Sequence, residues 1–178
     1  APIEIGHINP SCLAPDQLAV IKTMLLLSAQ AMGVTVGSWK CDVMWTSEGP
    51  KILECTARCS GGYDAQLSYP CSSGDNLLKR VIQVACGLPV TPHPALRQGH
   101  YCAVASIIPT KAGVVSALPD LGGEVIWAIK VGDVVQPPEH CAQRAGFVVE
   151  EGNDYQETWN AAHTRALAYG CALAENTR

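Results

Sequence analysis

The sequence predicts an α+β fold: an antiparallel sheet with covering helices, followed by a small antiparallel β subdomain with a terminal helix. Three observations carry that expectation. Two runs of alternating side chains flank the Gly49-Pro50 pair, two other segments space their apolar residues as a helix does, and a proline-rich stretch separates these from a series of short β-rich runs. Alternation with period two marks a half-exposed strand, and recurrence at three and four residues marks a helix. The division falls between residues 1–96 and residues 97–178.

The first helix is expected from Pro15 to Met32. Leu18, Ile21, Leu25, Ser28 and Met32 recur at helical spacing, Asp16 lies in the first turn, and Gly33 follows the end. Gly37 to Gly62, GSWKCDVMWTSEGPKILECTARCSGG, reads as two strands joined by a Gly-Pro turn. A second helix is expected from Gly74 to Cys86, where Leu77, Leu78, Val81, Ile82 and Ala85 form a stripe that Gly87 closes. Pro89, Pro92 and Pro94 then disfavour both helix and central strand, which sets the boundary near Arg97. Beyond it, strands are expected within 101–108, 112–118, 123–131 and 147–150, punctuated by Pro109, Pro119 and Gly122-Gly123. A final helix from Asp154 to Ala174 closes the subdomain.

The hairpin carries the chemistry. Lys40, Asp42 and Met44 share one side of the first strand, and Glu54, Thr56 and Arg58 share one side of the return strand. An even register puts Asp42 opposite Glu54 or, after a slip of two residues, opposite Thr56. Either way two carboxylates converge at roughly 5 Å between Cβ atoms, where they repel unless a cation or a proton lies between them. Hard oxygen ligands favour Mg2+ or Mn2+, which use one or two carboxylates and complete their shell with water and phosphate oxygens. Arg58 beside such an ion can hold a phosphate or carboxylate with two parallel hydrogen bonds. On spacing alone, the alternative is an exposed hairpin with its polar residues turned to water.

The order of an acid, a hairpin, Glu54-Cys55-Thr56-Ala57-Arg58 and Ser60-Gly61-Gly62 resembles the metal-binding end of the ATP-grasp superfamily, whose signature is an acid followed one hairpin later by Glu-x-Asn-x-Arg. The resemblance covers most of the chain. EIGHINP (Glu4 to Pro10), Ser11 and the Pro15 to Met32 segment are similar to the strand and helix before the metal strands. Tyr101 to Gly152 and the last helix are similar to the small C-terminal subdomain of the amino-acid ligase and biotin carboxylase branches. The resemblance therefore implies the C-terminal half of an ATP-grasp fold.

It also implies roles. Asp42, Glu54 and Thr56 would be metal ligands, with Thr56 standing where the family usually has Asn and offering one hydroxyl oxygen without an amide donor. Arg58 would be catalytic, stabilising charge on an acyl phosphate. Met44 and Leu53 would line the adenine pocket, although without the analogy they read as core residues. Gly61 and Gly62 would let backbone amides approach the acyl phosphate, although a Gly-Gly pair alone reads as a turn. The implied cofactors are ATP and Mg2+ or Mn2+, and the implied partners are a small-molecule carboxylate and an amine acceptor. The run Arg-Cys-Ser-Gly-Gly replaces the Arg-x-Gln-Val-Glu-His of biotin carboxylase, which favours the amino-acid ligase branch over bicarbonate activation.

The family holds its nucleotide against a preceding lobe with a Gly-rich loop and phosphate-binding lysines. The sequence is thus expected to be the C-terminal part of a longer carboxylate-amine or thiol ligase, inactive without that N-terminal lobe. The exposed docking face is expected to favour a homo-oligomer. Two other classes stay open: a non-catalytic ATP-grasp-like interaction or regulatory module, supported by Thr56, and a thiol-based redox or metal protein.

Composition bears on those classes. With 48% hydrophobic and 16% charged residues, 178 residues suffice for one domain or two small lobes. No apolar run reaches the roughly 18 residues that span a bilayer and no signal peptide is visible, so a cytoplasmic location without membrane association is expected. The net charge of −4 argues against nucleic acid as a partner. Nine cysteines are spread from Cys12 to Cys171 without paired C-x-x-C spacing. Reduced structural thiols are the preferred reading, with a disulfide framework and a metal site as alternatives. His7, near Asn9 and Ser11, reads either as a contact to substrate or phosphate or as a loop histidine bonded to backbone. His93, His100, His140 and His163 show no ligand spacing with nearby acids.

Overall fold

The computed structural model describes residues 3–90, 92, 94 and 97–177; His93 lies outside them. In chain order its elements are β1 (Gly6–Asn9), α1 (Pro15–Ala31), β2 (Lys40–Thr46), β3 (Gly49–Thr56), α2 (Tyr69–Ser73) and α3 (Leu77–Ala85). These are followed by β4 (Tyr101–Ile107), β5 (Gly113–Val114), β6 (Glu124–Trp127), β7 (Val134–Val135), β8 (Gly146–Gly152) and α4 (Tyr155–Glu175). Two compact units result. One comprises Ser11–Pro70 and Gly74–Leu96, the other Ala1–Pro10, Cys71–Ser73 and Arg97–Arg178.

The first unit is built on the antiparallel β2–β3 hairpin, with Asp42 opposite Glu54 and Lys40 opposite Thr56. The turn is not Gly49-Pro50, as the sequence implies, but Ser47-Glu48. Thr46 Oγ1 accepts from the Glu48 amide at 3.2 Å and donates to the Gly49 carbonyl at 2.8 Å. That leaves Gly49 at φ +97° as the first residue of β3, and Pro50, which has no N–H to donate, opposite Trp45. The pairing shifts after Asp42, where Val43 meets Ile52 and Leu53 becomes the extra residue of a bulge.

Helix α1 starts at Pro15 in the position where a missing N–H costs nothing, and Gln17 Oε1 accepts from the Ala14 amide at 2.9 Å. Leu18, Ile21, Leu25 and Ser28 are half-buried, as their spacing predicts, whereas Met32 is exposed. Trp39 Nε1 donates to Ser28 Oγ at 2.9 Å, which ties the helix to the segment entering β2. The second predicted helix starts later than expected. Gly74, at φ +75°, ends α2 by donating its amide to the Pro70 carbonyl, and Asn76 Oδ1 then caps α3 by accepting from the Lys79 amide at 2.9 Å. Two opposed caps so close together make one helix from Gly74 impossible. Arg80 on α3 is buried against Asp75, with Nε 2.8 Å from Oδ1.

The second unit is a four-stranded antiparallel sheet in the order β1-β4-β8-β6, closed by α4 as the sequence leads one to expect. Ala103, Ala105, Ile107 and Val148 pack on Ala162, Ala166, Tyr169 and Leu173 of α4. Small residues on the helix let it lie close to the sheet: a Cβ on Gly170 would meet the Ile108 carbonyl at 2.9 Å. Asp154 caps α4 by accepting from the Glu157 amide at 2.8 Å. The expected strands at 112–118 and 123–131 shrink to β5 and β6, and β5 pairs with β7, which the sequence did not announce.

Reading residues 1–96 as one lobe puts the first strand with the hairpin. The structure instead sets β1 beside β4, with Ile8 opposite Ala103 and His7 opposite Val104. Ile8 packs against the α4-facing core, which is the physical reason the strand joins this sheet. His7 is therefore a strand residue and not a loop histidine.

Candidate functional site

The two carboxylates singled out by alternation face each other: Asp42 and Glu54 are direct partners across the hairpin, and both are exposed. The register with Asp42 opposite Glu54 is the one formed. The repulsion is relieved in part by Lys40, whose Nζ lies 2.5 Å from Asp42 Oδ1. Sequence reasoning put Lys40 on this face but gave it no role. Thr56, half-buried, is directly opposite Lys40. Arg58 is exposed just past β3, where its guanidinium donates to the Cys59 carbonyl at 3.1 Å. Gly61 and Gly62 lie in the following turn, Gly62 at φ +62° and Tyr63 at φ +67°. A left-handed Tyr is uncommon and needs the surrounding turn to hold it.

Beside the acids lies an open groove of about 650 Å³, within the size range of small-molecule sites. Cys41, Asp42, Val43, Met44, Trp45 and Leu53 line it from the hairpin, and Leu18, Ile21 and Leu25 from α1. Met44 and Leu53 are thus groove residues, both more than half exposed, and not core. Leu53, the extra residue of the bulge, lines the groove together with Asp42.

Next to the acids in the ladder, Cys41, which also lines the groove, pairs with Cys55, and both are free thiols. Burial, and then the neighbouring Cys55 thiol, push the Cys41 thiol above its ordinary range. All nine cysteines are free thiols in the structure. A second cluster lies in the sheet unit. Cys71, His100 and Glu151 offer ligand atoms that all lie within 4.8 Å of one another. His100, expected to stand apart from any acid, has Nε2 2.9 Å from Glu151 Oε2. The correction follows from β4–β8 pairing, which sets Cys102 opposite Glu151 and brings the residue before β4 to the end of β8.

No protein-family model matches the sequence, and no curated protein matches it. Solved structures do. The L-amino acid ligase from Bacillus licheniformis is similar over 91% of this chain and 42% of its own, at TM-score 0.75 and 18% identity. Phosphoribosylglycinamide synthetase from Anaerococcus prevotii is similar over 99% of this chain and 45% of its own, at TM-score 0.74 and 15% identity. The biotin carboxylase domain of Hydrogenobacter thermophilus 2-oxoglutarate carboxylase, solved with MgADP, ADP and bicarbonate, matches 84% of this chain and 35% of its own, at TM-score 0.61 and 15% identity. At these identities the likeness is one of fold. The chain shares its fold with these enzymes over the regions matched and spans less than half the length of their chains. Among the described residues, no helix is long and apolar enough to cross a membrane.

Proposed function

We propose that this chain carries the metal and phosphate half-site of an ATP-dependent carboxylate-amine ligase. The observation that carries the reading is the direct Asp42–Glu54 pair, whose Asp42 lines an apolar groove, on a fold shared with such ligases. Two opposed, exposed carboxylates are a donor set suited to Mg2+ or Mn2+, and the single Lys40 ammonium balances only one of their two charges. When bound, magnesium supplies charge neutralisation across the phosphates of ATP. Asp42 and Glu54 would hold it, and the Thr56 hydroxyl would add one oxygen.

Met44 and Leu53 would take the adenine against the groove wall. A carboxylate oxygen of the substrate attacks the γ-phosphorus as its bond to the ADP oxygen breaks, which yields an acyl phosphate and ADP. Arg58 would turn from the Cys59 carbonyl to the new phosphate oxygens, and the amides near Gly61 and Gly62 would approach the same group. An amine nitrogen then displaces phosphate and loses a proton. The substrates fitting this chemistry are a small-molecule carboxylate and an amine. In such an enzyme the nucleotide is completed by a preceding lobe, and that lobe would cover the exposed apolar residues of α1, among them Leu26 and Leu27.

A second reading has its own observation. Lys40 already neutralises Asp42 and Thr56 replaces an amide with a hydroxyl, which fits a non-catalytic module of the same fold. Phosphate release from Mg-ATP, measured with panels of carboxylates and amines and with a longer form that includes a preceding lobe, separates the two. Ligase chemistry predicts release that depends on both substrates and is lost in the Asp42→Asn, Glu54→Gln double variant. Release unaffected by that variant, or none in any form, contradicts it.

A further inference from the structure

The cluster at the end of the four-stranded sheet lies outside this chemistry. It gathers three segments that are far apart in sequence. Cys71 comes from the three-residue segment that joins the sheet unit, His100 directly precedes β4, and Glu151 is the next-to-last residue of β8. Their ligand atoms lie within 4.8 Å of one another. Cys102, fully buried and opposite Glu151 in the ladder, adds a second thiol next to Cys71. We propose that Cys71, His100 and Glu151 bind a zinc ion.

The donor chemistry selects the metal. A thiolate with an imidazole and a carboxylate is a borderline-soft set that suits Zn2+ and is a poor match for Mg2+ or Ca2+. The geometry needs little change. Tetrahedral bonds of about 2.1 Å to nitrogen and oxygen place those two ligand atoms roughly 3.4 Å apart. His100 Nε2 and Glu151 Oε2 stand at 2.9 Å, so inserting the ion parts them by a fraction of an ångström. Arg97 braces the thiol segment from outside the ligand set: its guanidinium donates to the Cys71 carbonyl at 3.1 Å and its amide to the Ser73 carbonyl at 3.4 Å. The fourth position falls to water.

Without the ion, burial and then Glu151 push the Cys71 thiol up to about 11, so it is protonated at neutral pH and an ion must displace that proton. Hydrogen bonding from Cys71, more than that from His100, holds the Glu151 carboxyl below the usual range. Zinc replaces the thiol proton and releases it. The bound ion would fasten Cys71–Ser73 to the end of the sheet's central strands, a structural role independent of the Asp42–Glu54 pair.

The test uses the reduced 178-residue chain and the metals alone. Zinc is added and removed from solution by gel filtration, and Co2+ is then substituted as a spectroscopic probe. One retained equivalent of zinc and a near-ultraviolet thiolate-to-cobalt band are expected. Cys71→Ser should abolish the band. His100→Ala and Glu151→Gln, at partly exposed positions that leave folding intact, should each weaken zinc binding by about tenfold or more. Asp42→Asn should leave it unchanged. Absence of retained zinc, retention undiminished in all three ligand variants, or isolation with Cys71 and Cys102 joined as a disulfide would overturn the proposal.

Discussion

Lys40 sits on the carboxylate that faces Glu54, with its ammonium 2.5 Å from Oδ1 of Asp42. This internal cation partly satisfies the acid pair and competes with any ion from solution. Pairs with this much exposure contribute roughly 0.2–1 kcal/mol. Lys40→Met should therefore raise Mn2+ affinity by up to about fivefold, read by titration against electron spin resonance of the free ion. A weakened affinity would mean that Lys40 assists binding.

Neither acid contributes much to the fold. Asp42 and Glu54 are exposed, so Glu54→Gln should change unfolding free energy by no more than about 0.5 kcal/mol in urea, and Asp42→Asn, which also loses the Lys40 pair, by no more than about 1 kcal/mol. A loss of several kcal/mol would recast the pair as structural.

Arg80 and Asp75 behave in the opposite way. Their side chains are only 9% and 6% exposed, and Arg80 also donates to the Pro92 carbonyl at 2.8 Å. Arg80→Met removes both hydrogen bonds that Arg80 Nε donates to the buried Asp75 carboxylate and should cost about 3–5 kcal/mol. Chemical denaturation of the variant gives the value directly.

Tyr169 anchors the loop before β6 to α4. Its hydroxyl donates to the Gly122 carbonyl and accepts from the Leu121 amide, both at 3.0 Å, while its ring packs edge-on against Trp127 at 5.7 Å. Tyr169→Phe keeps the ring and strands both backbone groups, for an expected loss of about 1–3 kcal/mol. The change should appear in thermal unfolding with the sheet otherwise intact.

What was legible in the sequence is what depends on local period. Alternation in Lys40-Cys41-Asp42 and Glu54-Cys55-Thr56 was enough to place both acids on one face, because a strand turns its side chains over at every residue. The spacing of Leu18, Ile21 and Leu25 likewise announced the face of α1 that lines the groove. The bulge at Leu53 was not legible, since an extra residue in one strand is defined only against its partner. The Ser47-Glu48 turn was hidden by the stronger turn signal of Gly49-Pro50 next to it. Gly74 carried two messages, an end and a beginning, and only the second was read.

The Cys71, His100 and Glu151 cluster failed to register for a different reason. Each residue is unremarkable in its own segment, and the expected last strand stopped at Glu150, one residue short of the ligand. The pairing of Cys102 with Glu151 exists only once β4 and β8 are in register. The domain division was blurred in the same way, because the four residues of β1 pair with a strand on the other side of the proline-rich stretch.

The most direct test of the account is calorimetric titration of Mg-ATP and Mn-ATP into this chain and into its Asp42→Asn, Glu54→Gln double variant, with a longer form including a preceding lobe alongside. The account predicts metal-dependent nucleotide binding in the chain or the longer form that disappears in the double variant. Binding that survives loss of both carboxylates, or none in either form, would contradict it.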